Sequence, residues 1–251
     1  MGSRSVVVTL AVTGVVAVLA LSGALLLRPQ PGATAAATRP PAATSSAVDE
    51  PVQCDHGPCQ LLASTTAGDS AVRLYADTVD PSRPTVMQSG RVRFAGRTGP
   101  ITFETNISQD EAVLSASSLH CLPNPASAPA CIVFGGYTRN KQQDGALAEV
   151  FVERGGYWVR PSYDLFYSSA GYFTLWPGPS GTAPQVITVQ NDCGGVVEQC
   201  PNPNVYVQLF ALGVDSPTGC TRPVSAISLL PGRGAILPPA ADLHACPKSS
   251  G

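Results

Sequence analysis

The 251 residues carry 15 lysines and arginines against 17 carboxylates, a net charge of −2 with no basic cluster, which excludes the electrostatic footprint of a nucleic-acid or anionic-membrane binder. Eight cysteines, all between Cys54 and Cys246, fit a domain that folds where disulfides persist and argue against a reducing cytosol. Thirteen arginines against two lysines, with abundant Ala, Gly, Pro and Val, point to a high-GC bacterial genome.

In chain order, residues 1–5 form a short segment expected on the cytoplasmic side. Residues 6–27, VVVTLAVTGVVAVLALSGALLL, carry no charge, and at about 1.5 Å rise per residue they cover the roughly 30 Å hydrocarbon core as one transmembrane signal-anchor helix. The small-residue stretch Gly32–Ala37 offers a cleavage alternative that would leave a secreted protein. Arg4 before the run and Arg28 after it orient it weakly, so the cysteines decide: residues 28–251 are expected outside the membrane, with a single span. Residues 28–50 hold four prolines and no large apolar residue between Leu27 and Val48, which predicts an extended tether.

From Pro51 to Gly251 the pattern is strand. Short runs rich in Val, Ile, Phe, Tyr or Thr, separated by Gly, Pro, Asn or Asp, fall at 60–63, 71–75, 91–94, 101–104, 112–118, 131–135, 146–153, 157–160, 172–176, 185–190, 205–212 and 226–230. Gly155-Gly156 between two such runs is a two-residue hairpin signal. No window sustains a helical period, so the expectation is an all-β ectodomain of short antiparallel strands, stapled by disulfides as a sandwich or propeller-like repeat.

Proximity pairs Cys54 with Cys59, Cys121 with Cys131 and Cys193 with Cys200, leaving Cys220 and Cys246 to tie back the carboxyl-terminal segment. The three short pairs begin at intervals of 67 and 72 residues, which hints at an internal repeat. With its Gly-Gly-aromatic hairpin before an apolar strand, the stretch from Ala146 to Cys193 resembles the strand units of FG-GAP or VCBS-type secreted propellers. That resemblance implies an acidic calcium loop, but the corresponding Pro177–Pro184 holds no carboxylate, so no calcium ligand carries over.

Motifs for chemistry are sparse. His56, His120 and His244 each lie within two residues of a cysteine, yet their spacings match no metal signature, so they read as loop histidines beside disulfides. No Gly-x-Ser-x-Gly elbow is present, and Glu149 and Glu153 share one face of a strand expected to be solvated. Aromatic residues are denser: eight of the sixteen, Tyr157, Trp158, Tyr163, Phe166, Tyr167, Tyr172, Phe173 and Trp176, fall between 157 and 176. Tyr and Trp combine apolar area with a polar tip, and buried cross-strand packing explains the same cluster.

The sequence therefore leads to a membrane-anchored extracytoplasmic binding or interaction module that needs no metal or cofactor. Its expected binding residues are Tyr157, Trp158, Tyr172 and Trp176, and its expected partner is an envelope glycan or a membrane protein. The alternatives are a cell-envelope hydrolase using His120, His244 or a carboxylate, and a tethered domain that stabilises a membrane complex.

Overall fold

Runs that alternate apolar with polar residues, interrupted by turn-forming glycines, fold into thirteen strands among the described residues of a computed structural model. The structure describes residues 51–57, 59–78, 82, 86–107, 112–122, 128–139, 142–162, 164–177, 183–193, 203–214, 216–230 and 240–246; the predicted membrane helix and tether lie outside them. Among the described residues no helix is long and apolar enough to cross a membrane.

All strand pairs are antiparallel, and they form three sheets in chain order. The first is a meander of β1 (Gln60–Ala67), β2 (Ser70–Asp77), β3 (Ser89–Gly96) and β4 (Gly99–Glu104). The second runs β5 (Leu119–Cys121), β6 (Ala130–Arg139), β7 (Gln142–Arg154) and β8 (Tyr157–Val159), with β9 (Phe166–Ser168) also paired to β7. The third is β10 (Phe173–Trp176), β11 (Gln185–Asn191), β12 (Val205–Ala211) and β13 (Gly219–Cys220).

Two glycine sites shape the second sheet. Gly155 and Gly156, at φ of 60° and 86°, make the predicted hairpin between β7 and β8, since two successive positive φ angles suit glycine. Gly145 sits at φ 114°, and a Cβ there would lie 2.4 Å from the Ser168 carbonyl oxygen, so only glycine lets β9 close against β7.

The sheets stack face to face. Val72, Leu74, Val92 and Phe94 of the first meet Cys131, Val133, Phe151 and Trp158 of the second. The opposite face of the second sheet, with Ile132, Ala148, Val150 and Val152, meets Phe173, Leu175 and Val186 of the third. Burial on both faces explains why Ala130–Val133 is a continuous apolar run in which every residue is fully buried.

Both ends of the stack are closed to further apolar layers. The outer face of the third sheet, with Ile187, Val189, Val207 and Leu209, is covered by Val224, Leu230 and Leu243 from the carboxyl-terminal segment, which the Cys220–Cys246 disulfide fastens. The outer face of the first sheet is mostly polar, carrying Ser64, Arg73, Arg91, Arg93, Thr102 and Glu104 beside Leu61 and Tyr75. A terminal layer with a polar outer side is what lets a short array of sheets stop without aggregating.

Cys54–Cys59 and Cys121–Cys131 also form as expected; Cys193 is disulfide-bonded, and Cys200 lies outside the described residues. The cysteine spacing does not follow the sheets: their first strands start at residues 60, 119 and 173, and the cysteines occupy different points of the three sheets. Cys54–Cys59 precedes the first strand of its sheet, whereas Cys121 and Cys131 are opposed residues of the first two strands of theirs. Replacing Cys121 and Cys131 together by alanine should cost about 3 kcal/mol, against about 2 kcal/mol for Cys54 and Cys59, because a ten-residue loop restricts the unfolded chain more than a five-residue one. Urea unfolding of the two double variants checks that order.

Two predicted strands are absent. In 112–118 only isolated bridges form, Val113 to Gly136 and Leu114 to Met87, and the serines then turn the chain as the Ser118 hydroxyl accepts from the Ser115 N–H at 2.8 Å. Short hydroxyl side chains that bond nearby backbone compete with strand pairing. Residues 226–230 instead hold a 3-10 turn, Ile227–Leu229, in which the Leu229 N–H reaches the Ala226 carbonyl at 2.9 Å.

Candidate functional site

The four predicted aromatic residues do not form one surface. Trp158 is 4% exposed and belongs to the core between the first and second sheets; its ring stacks on Phe94 at 4.0 Å and its Nε1–H donates to the Ser70 hydroxyl at 3.0 Å. Strand alternation then turns its neighbour Tyr157 outward, to 63% exposure at the edge of the second sheet. Tyr172 is exposed beside the third sheet, and Trp176 packs partly against the outer apolar face of that sheet. Phe173 and Leu175, on the opposite side of β10, are core. Tyr163 lies outside the described residues.

Glu149 also departs from expectation. It is 1% exposed, and its carboxylate lies 3.1 Å from Arg160 Nε and accepts from the Asn106 N–H at 3.1 Å. Burial pushes its pKa up to about 7, overriding the pull of Arg160 and of the Asn106 amide. Arg160 in turn lies over the rings of Phe151 and Phe103, at 5.3 and 5.9 Å, and donates to the Glu104 carbonyl. These contacts place the pair at the seam of the first two sheets, in a structural role.

The histidines are spread over the fold. His56 donates its backbone N–H to Asp77 at 2.8 Å, His120 meets the ring of Phe134 edge-on, and His244 exchanges backbone bonds with Cys220. Among the described residues no group of three or more His, Cys, Asp or Glu side chains could hold a metal ion.

Among the described residues, two of the clefts are lined largely by side chains. One, of about 350 Å³, lies where the first strands of the three sheets meet and is lined by Thr65, Leu119, His120, Cys121, Leu122, Thr174 and Leu175. It offers one imidazole and two hydroxyls. The other, of about 430 Å³, lies on the outer face of the first sheet, between Pro51, Val52 and Gln53 on one side and Arg91, Arg93, Pro100, Thr102 and Glu104 on the other.

The second cleft has the richer chemistry, and strand register explains why. Pairing across β1 to β4 sets outward residues in rows: Leu61, Tyr75, Arg91 and Glu104 form one, and Ser64, Arg73, Arg93 and Thr102 form the next. Three arginines thus share one sheet face, with Arg73 and Arg93 directly opposed in register. Arg91 donates to Asp55 at 2.6 Å and lies 3.7 Å from Glu104, and Asp55 also accepts from the Ser89 hydroxyl at 2.9 Å. The Cys54–Cys59 loop, anchored through His56 to Asp77, presents Asp55 to this arginine. The sequence contains the signal as alternation, Arg73-Leu-Tyr75 and Arg91-Val-Arg93, but not the register that sets the arginines side by side.

Compared with protein-family models, with curated proteins and with solved structures, the chain gives no match. The likeness of 146–193 to FG-GAP or VCBS strand units thus rests on the Gly155-Gly156 hairpin and the apolar strand after it.

Proposed function

We propose that this chain is a membrane-anchored extracytoplasmic binding module, and that it binds through the outer face of the first sheet. The observation that carries the reading is a cleft of about 430 Å³ lined by Arg91 and Arg93, with Arg73 opposite Arg93 in register on the same sheet face. Aromatic recognition through 157–176 is the weaker form of the same idea, because Trp158 is committed to the core. The address is supported by the uncharged run 6–27 and by disulfides that need an oxidising compartment.

The test is co-sedimentation of the full-length protein in detergent with insoluble cell-wall material over a salt series. Saturable binding that weakens as salt rises is the expected result, since attraction to guanidinium groups on a surface is screened. Binding that never exceeds background at any salt concentration would remove the proposal.

A further inference from the structure

We propose that the cleft of about 350 Å³ is a slot for an added strand: it takes an extended, uncharged peptide segment of a partner protein, which pairs with the free edge of β5. Among the described residues β5 is the first strand of its sheet and pairs with β6 alone, so its other edge is open. The slot shares no lining residue with the cleft at Arg91 and Arg93, and its test stands apart from that of the arginine face.

The hydrogen-bond pattern fixes which backbone groups the open edge presents. The Phe134 N–H donates to the Ser118 carbonyl at 2.9 Å, and the Leu122 N–H donates to the Ala130 carbonyl at 2.8 Å. Bonded and non-bonded pairs alternate along an antiparallel ladder, so residues 118, 120 and 122 direct their backbone groups to β6, while Leu119 and Cys121 direct theirs away from it. The Cα separation of 4.0 Å between Cys121 and its opposite residue Cys131 is that of a non-hydrogen-bonded pair. Parity does the same on β10, where the Val189 N–H donates to the Tyr172 carbonyl and the backbone groups of Leu175 turn away from β11.

Two donors and two acceptors at a two-residue repeat call for a peptide. A sugar hydroxyl meets one such group, whereas an antiparallel strand meets all four, which is how peptides add to open sheet edges. The surrounding side chains agree with a strand. Leu119 and Cys121 pack in the core shared with the first sheet, and Leu122 in the core shared with the third. Alternate side chains of the added strand therefore meet Thr65 of β1 on one face, and Thr174 and Leu175 of β10 on the other. No carboxylate, ammonium or guanidinium lines the slot, so a charged residue placed there would lose hydration with nothing to balance it. The three residues of β5 limit the pairing to a short segment, and a short edge also guards an open sheet against uncontrolled pairing.

Calorimetric titration of the full-length protein in detergent with the N-acetylated, C-amidated peptide Thr-Val-Thr-Val-Thr tests the inference. Saturable binding is expected, with a Kd on the order of 1 mM or tighter. Two further peptides carry N-methyl groups on the valines only or on the threonines only. One of them should bind about ten-fold more weakly or worse and the other within about two-fold of the parent, because successive N–H groups of a strand point to opposite sides. Thr65→Arg and Thr174→Arg fill the slot from opposite walls, and each should weaken binding about ten-fold or more. Thermal unfolding shows which of the two keeps its midpoint, and the peptide series is read on the unaltered protein whatever the variants do. No binding of the parent peptide, equal effects of the two methylation patterns, or unchanged binding in an arginine variant that keeps its midpoint overturns the inference.

Discussion

Arg160→Met should destabilise the protein by about 3–5 kcal/mol at pH 8, and by clearly less at pH 5, in urea unfolding monitored by tryptophan fluorescence. Methionine keeps most of the apolar stem that packs near Phe103 and Phe151, so the loss reports the guanidinium, its hydrogen bond to the Glu104 carbonyl included, and the part that changes with pH reports its charge beside Glu149. At pH 8 the variant leaves the Glu149 carboxylate, 1% exposed, without the guanidinium 3.1 Å away. At pH 5 Glu149 is already largely protonated, because burial raises its pKa to about 7, and there is less charge for Arg160 to balance.

The same shift fixes the pH dependence of the unaltered protein. Between the unfolded value of 4.5 and the folded value of about 7, the native state binds more protons than the unfolded state, so this group's contribution to stability falls as pH rises through that window. At about 1.4 kcal/mol per pKa unit, the contribution is about 3 kcal/mol, present below pH 4.5 and lost above 7. Glu149→Gln should flatten that slope. An unchanged slope in the glutamine variant would show that another group sets it.

Trp158→Ala should cost about 3–5 kcal/mol, the range for emptying a large aromatic from a core. The indole fills the seam between the first two sheets against Phe94, and its removal also strips a buried partner from the Ser70 hydroxyl. Tyr157→Ala, one residue away and 63% exposed, should change stability by no more than about 0.5 kcal/mol. Thermal unfolding of the two variants side by side checks the contrast. Equal midpoints would mean that the indole does not hold the sheets together.

These neighbours show what the sequence made legible. Alternation on β8 and β10 separates inward from outward residues correctly, so Phe173 and Leu175 share one face and Trp176 takes the other. Alternation does not say which face is covered, and Trp158 met a second sheet that local pattern cannot reveal. Glu149 was read as solvated for the same reason: its partner Arg160 lies beyond a hairpin, and Asn106 belongs to the segment after β4. β5, β9 and β13 exist because longer neighbours pair with them, whereas β8, also short at three residues, is marked in the sequence by the Gly155-Gly156 hairpin that joins it to β7. The disulfides were readable because each described pair lies close in sequence, within 26 residues at most. The arginine face was not, since its content is the register between strands up to twenty residues apart, such as Arg73 and Arg93.

The most direct test of the binding face sets Arg73→Gln against the pair Tyr157→Ala and Tyr172→Ala in one co-sedimentation assay, with full-length protein in detergent and insoluble wall material. Tyr157 and Tyr172 are exposed and Arg73 is half-buried, so thermal unfolding of each variant accompanies the assay and only variants that keep their midpoint are compared. Weaker binding by Arg73→Gln, with both tyrosine variants binding like the unaltered protein, is the expected result. Loss of binding in the tyrosine variants, with Arg73→Gln unaffected, would move the site to the 157–172 segment and contradict the account.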